Sequence, residues 1–134
     1  MFKKLFIAML ILGFTGTVAV SAQDVKIPTI RKANLSSKKA TIRTFFLAVL
    51  NNKPAIVLEC YSPQFRKKID KFAQEKKSNT SEVMAQVCQK MQKAFKQQLE
   101  KDYNGNLEKM MEDITAKDPP PLININGKWY IDIK

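Results

Sequence analysis

The chain contains no histidine, two cysteines, four glycines and a single tryptophan in 134 residues. Without histidine, Ser–His and Cys–His catalysis and imidazole metal sites are excluded. Two cysteines cannot build a structural zinc site alone, and no C-x-x-C spacing is present to suggest a dithiol redox centre. Four scattered glycines form no phosphate-cradling loop. No apolar run of membrane length follows residue 22. Any acid–base chemistry falls to carboxylates, lysines or tyrosines. Glu112 and Asp113 are helix neighbours that point apart, and Glu59 reads as a surface acid beside an apolar face. Tyr61, Tyr103 and Tyr130 read as amphipathic packing residues. These absences favour a non-enzymatic protein with no cofactor and no bound metal.

The N-terminus carries the clearest positive signal. Lys3 and Lys4 precede an apolar run from Leu5 to Phe14, and Val20-Ser21-Ala22 supplies small residues for cleavage. This pattern predicts a signal peptide over residues 1–22 and a mature start at Gln23. No cysteine lies at the cleavage site, so a lipid anchor is not expected. The expected product is soluble, without a membrane span, and periplasmic or secreted. Net charge is +11, mostly from lysine, since only Arg31, Arg43 and Arg66 are arginine. Arg66, Lys67, Lys68 and Lys71 form the densest basic patch, which predicts weak binding to anionic surfaces. No RNA-binding motif with interleaved aromatics is visible.

Residues 23–35 hold a proline and no apolar period, and read as an extended N-terminal arm. A single domain over 36–134 follows, capped by Ser36 or Ser37. Ile42, Phe45, Phe46, Val49 and Leu50 recur at helical spacing up to about Asn51. Pro54 starts a short helix with Ile56, Val57, Cys60 and Tyr61 facing inward. Ser62-Pro63 starts a third, with Phe65, Ile69 and Phe72 on its apolar edge. The longest helix begins near Ser81 and carries Val83, Met84, Val87, Cys88, Met91, Phe95 and Leu99. Asn104-Gly105 either kinks that helix or separates a short one bearing Leu107, Met110, Met111 and Ile114. The methionines read as core filling. Asp118-Pro119-Pro120-Pro121 ends helix formation.

The last eleven residues, Asn124–Lys134, read as a β-hairpin. A two-residue Asn126-Gly127 turn pairs Ile125 with Lys128 and splits the apolar residues between faces. A three-residue loop pairs Asn124 with Lys128 and gathers Ile123, Trp129, Ile131 and Ile133 on one face. The second register is preferred, because one buried face specifies pairing. That face then anchors the hairpin on the helices, with Trp129 as the main contact, and the hairpin edge becomes a seam for a protein partner or a homodimer. The expected fold is therefore α+β and predominantly helical, with three to four amphipathic helices packed by a C-terminal hairpin. Export and shared apolar placement predict a Cys60–Cys88 disulfide. Asn34-Leu35-Ser36 and Asn79-Thr80-Ser81 match the N-glycosylation sequon.

Phe45, Phe46, Asn51, Asn52, Ile56, Cys60, Ser62, Pro63, Phe65, Gly127, Trp129 and Ile131 form a pattern that resembles small exported members of the nuclear transport factor 2-like, or cystatin-like, superfamily. The resemblance covers about half of the segment after residue 22. It implies helices against a curved sheet around a conical pocket. The sixteen or so residues after the last helix allow only two strands, and no family active site transfers. Three function classes follow: an exported binding or interaction domain with an unidentified partner; a cationic protein binding anionic lipid, cell-wall polymer or nucleic acid; and a small-pocket hydrolase or isomerase. The first is the expected one.

Overall fold

A computed structural model describes residues 27–134. Residues 1–26, with the predicted leader and its cleavage site, lie outside the described residues. Five helices precede two strands: α1 (Lys38–Leu50), α2 (Pro54–Cys60), α3 (Pro63–Glu75), α4 (Thr80–Tyr103), α5 (Leu107–Lys117), β1 (Leu122–Ile125) and β2 (Lys128–Ile131). The predominantly helical α+β fold is as expected, with one helix more than the expected upper count. Of the two readings of Asn104-Gly105, the separate helix is the one observed. Asn104 and Gly105 both take positive φ, and the Gly105 N–H returns to the Leu99 carbonyl at 2.9 Å. That closes the last turn of α4, and Asn106 then caps α5 through the Lys109 N–H.

The same left-handed stop ends two other helices. Asn52 and Lys77 have φ of 53°. The following N–H groups, on Lys53 and Ser78, reach back to Ala48 and Ala73 at 2.8 and 2.9 Å. Starts are equally local. Ser37, Ser62 and Asn79 accept hydrogen bonds from the N–H groups of Ala40, Phe65 and Glu82. Pro54 and Pro63 open α2 and α3, where a missing N–H costs nothing.

α1 is the spine of the molecule rather than a helix with one apolar face. From Thr41 to Leu50 every residue except Arg43 is buried. Helices α2, α4 and α5, strand β2 and the N-terminal arm surround it, and a helix enclosed on all sides is apolar on all sides. Its buried hydroxyls are satisfied. Thr44 Oγ1 accepts from the Asn34 N–H and lies 3.1 Å from the Asn34 carbonyl. The Thr41 hydroxyl proton can reach the Ser37 carbonyl at 3.0 Å or the Trp129 carbonyl at 2.9 Å. The arm runs antiparallel to α1: the Pro28 carbonyl meets Asn51 Nδ2, and Asn34 meets Thr44. Ile27, Ile30, Ala33 and Leu35 pack on the core.

The centre of the core is aromatic. Phe46 and Phe95 meet tilted at 34° with centroids 4.8 Å apart, Tyr61 and Phe65 meet edge-on at 4.8 Å, and Phe45 contacts Phe46, Tyr61 and Phe95. These rings fill the space between the helices and the end of β2.

The hairpin takes the register that the single-face argument disfavoured. Ile125 pairs with Lys128, Asn124 with Trp129, Ile123 with Tyr130 and Leu122 with Ile131. Asn126 and Gly127 have φ of 52° and 84°, the two positive values of a type I′ turn. That turn matches strand twist, and its geometry outweighs the apolar segregation that a longer loop offers. Ile123 therefore lies on the face opposite Trp129, Ile131 and Ile133. Ile131 and Ile133 are buried in the core, joined by Leu122, whereas Trp129 is only partly buried and lies outside the core cluster. The anchor is Ile131 with Ile133, not Trp129. Trp129 is held by its backbone, whose N–H donates to the Leu35 carbonyl at 2.8 Å, and Lys38 Nζ lies 4.8 Å from its ring centroid.

Candidate functional site

Lys39, Ile42 and Arg43 fall at positions i, i+3 and i+4 of α1, one helical face. Glu108, Met111, Glu112, Thr115 and Ala116 make the matching stripe on α5. Where the helices pack, these residues line a groove of about 210 Å³. Ile42 and Met111 are buried and form its apolar floor. Arg43 Nη1 reaches both carboxylate oxygens of Glu108, at 2.8 and 2.9 Å. That pair spans the two helices while remaining open to water, with side chains 42% and 64% exposed. Lys39 extends the cationic wall and Glu112 the anionic one. The Thr115 hydroxyl is occupied by the Met111 carbonyl at 2.7 Å. The groove thus offers shape, an apolar surface and two walls of opposite charge.

A second depression, about 660 Å³, lies between the arm and the hairpin turn. Lys32, Asn34, Ser36, Glu59, Asn126 and Lys128 line it, all of them exposed. Although larger, it is more open, and its apolar residues, Ala33 and Leu35, are only partly buried, so the α1–α5 groove with its buried floor is the better-formed site.

The two cysteines are free and buried, and they do not lie near each other. The expected disulfide is absent. Cys60 is the last residue of α2, whereas Cys88, on α4, lies beside the Lys53 backbone at the opposite end of that helix. Seven residues at ~1.5 Å each separate those ends by ~10 Å, beyond disulfide reach. Both thiols are poor nucleophiles. Burial, helped by the charge of Glu59, pushes Cys60 up to about 12. Burial pushes Cys88 up to about 11 against the lowering effect of the Lys53 hydrogen bond. Tyr61 is driven well above the ordinary phenol value, first by burial and then by Cys60 and Cys88. Tyr103 also rises, through partial desolvation and then through its hydrogen bond to Asp113.

The basic patch is only partly assembled. Lys67, Lys68 and Lys71 are exposed on α3. Arg66 turns inward, donating from Nε to the Tyr61 carbonyl at 3.1 Å with its guanidinium 5.9 Å from the Tyr130 ring centroid. Asp70 sits among the lysines and accepts from Thr80 Oγ1. Glu112 and Asp113 diverge as expected: Glu112 lines the groove, while Asp113 faces Tyr103 and Lys117. Both sequon asparagines are engaged, Asn34 with Ser36 and Asn79 as the α4 cap. Among the described residues no group of three or more metal-ligating side chains is placed to hold an ion, and no helix is long and apolar enough to cross a membrane.

Sequence reasoning assigned Ile42 and Met111 to the core and passed over Arg43 and Glu108. The available signal was each apolar residue's flanking charges: lysine and arginine around Ile42, glutamates around Met111. No family model matches the chain, and neither a curated protein nor a solved structure matches it significantly.

Proposed function

We propose that this protein is a non-enzymatic exported binding domain whose contact site is the α1–α5 groove. The groove receives one apolar side chain of a partner polypeptide. Its walls pair with an acidic residue on the Lys39–Arg43 side and a basic residue on the Glu108–Glu112 side. The observation that carries this reading is the buried Ile42–Met111 floor between walls of opposite charge. At about 210 Å³ the groove is smaller than the ~300–1,000 Å³ of small-molecule sites, which favours a single side chain over a whole metabolite. The protonated, buried thiols support a binding role rather than a catalytic one, because a cysteine nucleophile needs a depressed value. The aromatic filling of the core supports it too, since the rings occupy the space that an interior substrate pocket needs.

A second reading rests on Lys67, Lys68 and Lys71, whose exposure on one helix suits an anionic polymer or lipid surface. Peptide display on the immobilised protein separates the two. Under the groove reading, enriched peptides carry one large apolar residue flanked by an acid and a base. Their binding survives ~0.5 M salt and disappears in Ala116→Trp, which fills the groove. Enrichment of polyacidic peptides that ignore Ala116→Trp and are released by salt would replace it with the cationic reading.

A further inference from the structure

The two edges of the hairpin are not equivalent. The outer edge of β2 is closed: Trp129 N–H donates to the Leu35 carbonyl at 2.8 Å, and Thr41 Oγ1 lies 2.9 Å from the Trp129 carbonyl. Ser62 N–H donates to the Ile131 carbonyl at 2.8 Å, where Tyr61 and Ile131 form a parallel bridge. Among the described residues β1 has no such hydrogen-bonded cover. With Ile125 and Lys128 closing a two-residue turn, the Ile125–Lys128 and Ile123–Tyr130 pairs exchange the inter-strand hydrogen bonds. The backbone groups of Leu122 and Asn124 then point away from β2. Among the described residues no hydrogen bond reaches those backbone groups.

We propose that β1 is the seam at which two copies of this chain associate, antiparallel, about a two-fold axis through Ile123. The spacing is self-complementary. Leu122 lies opposite Asn124 of the partner subunit and the reverse, so each pair exchanges two N–H···O bonds. Two marginal hairpins become one four-stranded sheet, with Ile123 meeting its own copy. Charge selects the same place. In a chain of net charge +11, Pro119–Gly127 carries no charge at all, so two cationic copies meet there without like charges at the contact. β1 also lacks the lysine or internal proline that usually blunts an exposed edge. Because the other edge is closed, growth stops at two copies and does not run on into a filament. Pro119–Pro121 limit the seam to about four residues, well below the ~800 Å² per partner of a standard interface, so association is weak.

The test is sedimentation of the purified protein from about 10 µM to about 1 mM, beside Asn124→Pro. Proline at 124 removes an outward N–H and the Asn124 Oδ1 that accepts from the Gly127 N–H, and leaves the two backbone hydrogen-bonded pairs of the hairpin intact. The wild type should approach twice the protomer mass as concentration rises, and the variant should associate at least about tenfold more weakly. A wild type that stays monomeric throughout, or a dimer that Asn124→Pro leaves unchanged, overturns the proposal, including the case in which the edge serves a strand from another protein. Should Asn124→Pro fail to fold, amide exchange in the wild type decides. Protection of Leu122 and Asn124 that grows with concentration supports the seam, and protection independent of concentration refutes it. Ala116→Trp should dimerise normally, which keeps this outcome separate from that of the groove.

Discussion

Ile131→Ala removes three carbon atoms from a side chain that is fully buried beside Tyr61, at 0% exposure. At ~0.8 kcal/mol per buried methylene, the transfer part is ~2.4 kcal/mol. The cavity left between α1, α2 and the hairpin adds ~1 kcal/mol, because the aromatic cluster around it relaxes only partly, for a total of ~3–4 kcal/mol. Trp129→Ala should cost less, ~1–2 kcal/mol, despite the larger side chain: the ring is partly buried outside the core cluster, and the backbone bonds to Leu35 and Thr41 survive truncation. Ile123→Ala, on the opposite face, should cost under ~1 kcal/mol. Urea denaturation of the three variants reads this order directly, with an Ile131→Ala midpoint lowered by about 2 M at an m-value of ~1.5–2 kcal/mol/M. An Ile123→Ala loss equal to that of Ile131→Ala would refute the reasoning, because it would place Ile123 on the anchoring face and restore the three-residue loop.

Alkylation under denaturing, non-reducing conditions should label both Cys60 and Cys88, while the folded protein at pH 8 should react slowly at either. Since folding raises Cys60 from 9.0 to about 12, its contribution is fully present below pH 9 and is lost as pH rises from about 9 to about 12. That loss is worth up to ~4 kcal/mol, so urea midpoints should fall across this window, and a flat alkaline profile would contradict the buried placement. Lys77→Gly relieves a lysine held at φ 53° and should raise stability by ~0.5–1 kcal/mol, whereas Gly127→Ala at φ 84° should lower it by ~1 kcal/mol although open space surrounds the added carbon. Thermal unfolding of the two variants should move in opposite directions. Arg43→Ala should change stability by less than ~0.5 kcal/mol, because its pair with Glu108 is solvent-exposed, while weakening groove-dependent peptide binding.

The sequence by itself determined the features that depend on neighbours along the chain. Helix periods, the serine caps, the proline starts and the stops at Asn52, Lys77 and Asn104 all act within a turn or two, through hydrogen bonds that the local residues either supply or lack. The predominantly helical α+β class followed from these and was legible in advance. The tertiary structure decided whatever depends on two distant segments meeting. Apolar faces place Cys60 and Cys88 inside, but periodicity does not report that they lie at opposite ends of α2. The α1–α5 groove likewise needs Arg43 beside Glu108, and each sequence stripe shows only its own half. The hairpin register differs from the sequence expectation for a related reason. Segregating Ile123 with Trp129 and Ile131 treats the hairpin as having one buried face. In the fold, β2 is also held along its edge by Leu35, Thr41 and Ser62, and the Arg66 guanidinium lies over the Tyr130 ring, so both faces find cover and the two-residue turn is free to set the register. Burial depends on what arrives from elsewhere in the chain, and that is decided only when the helices pack.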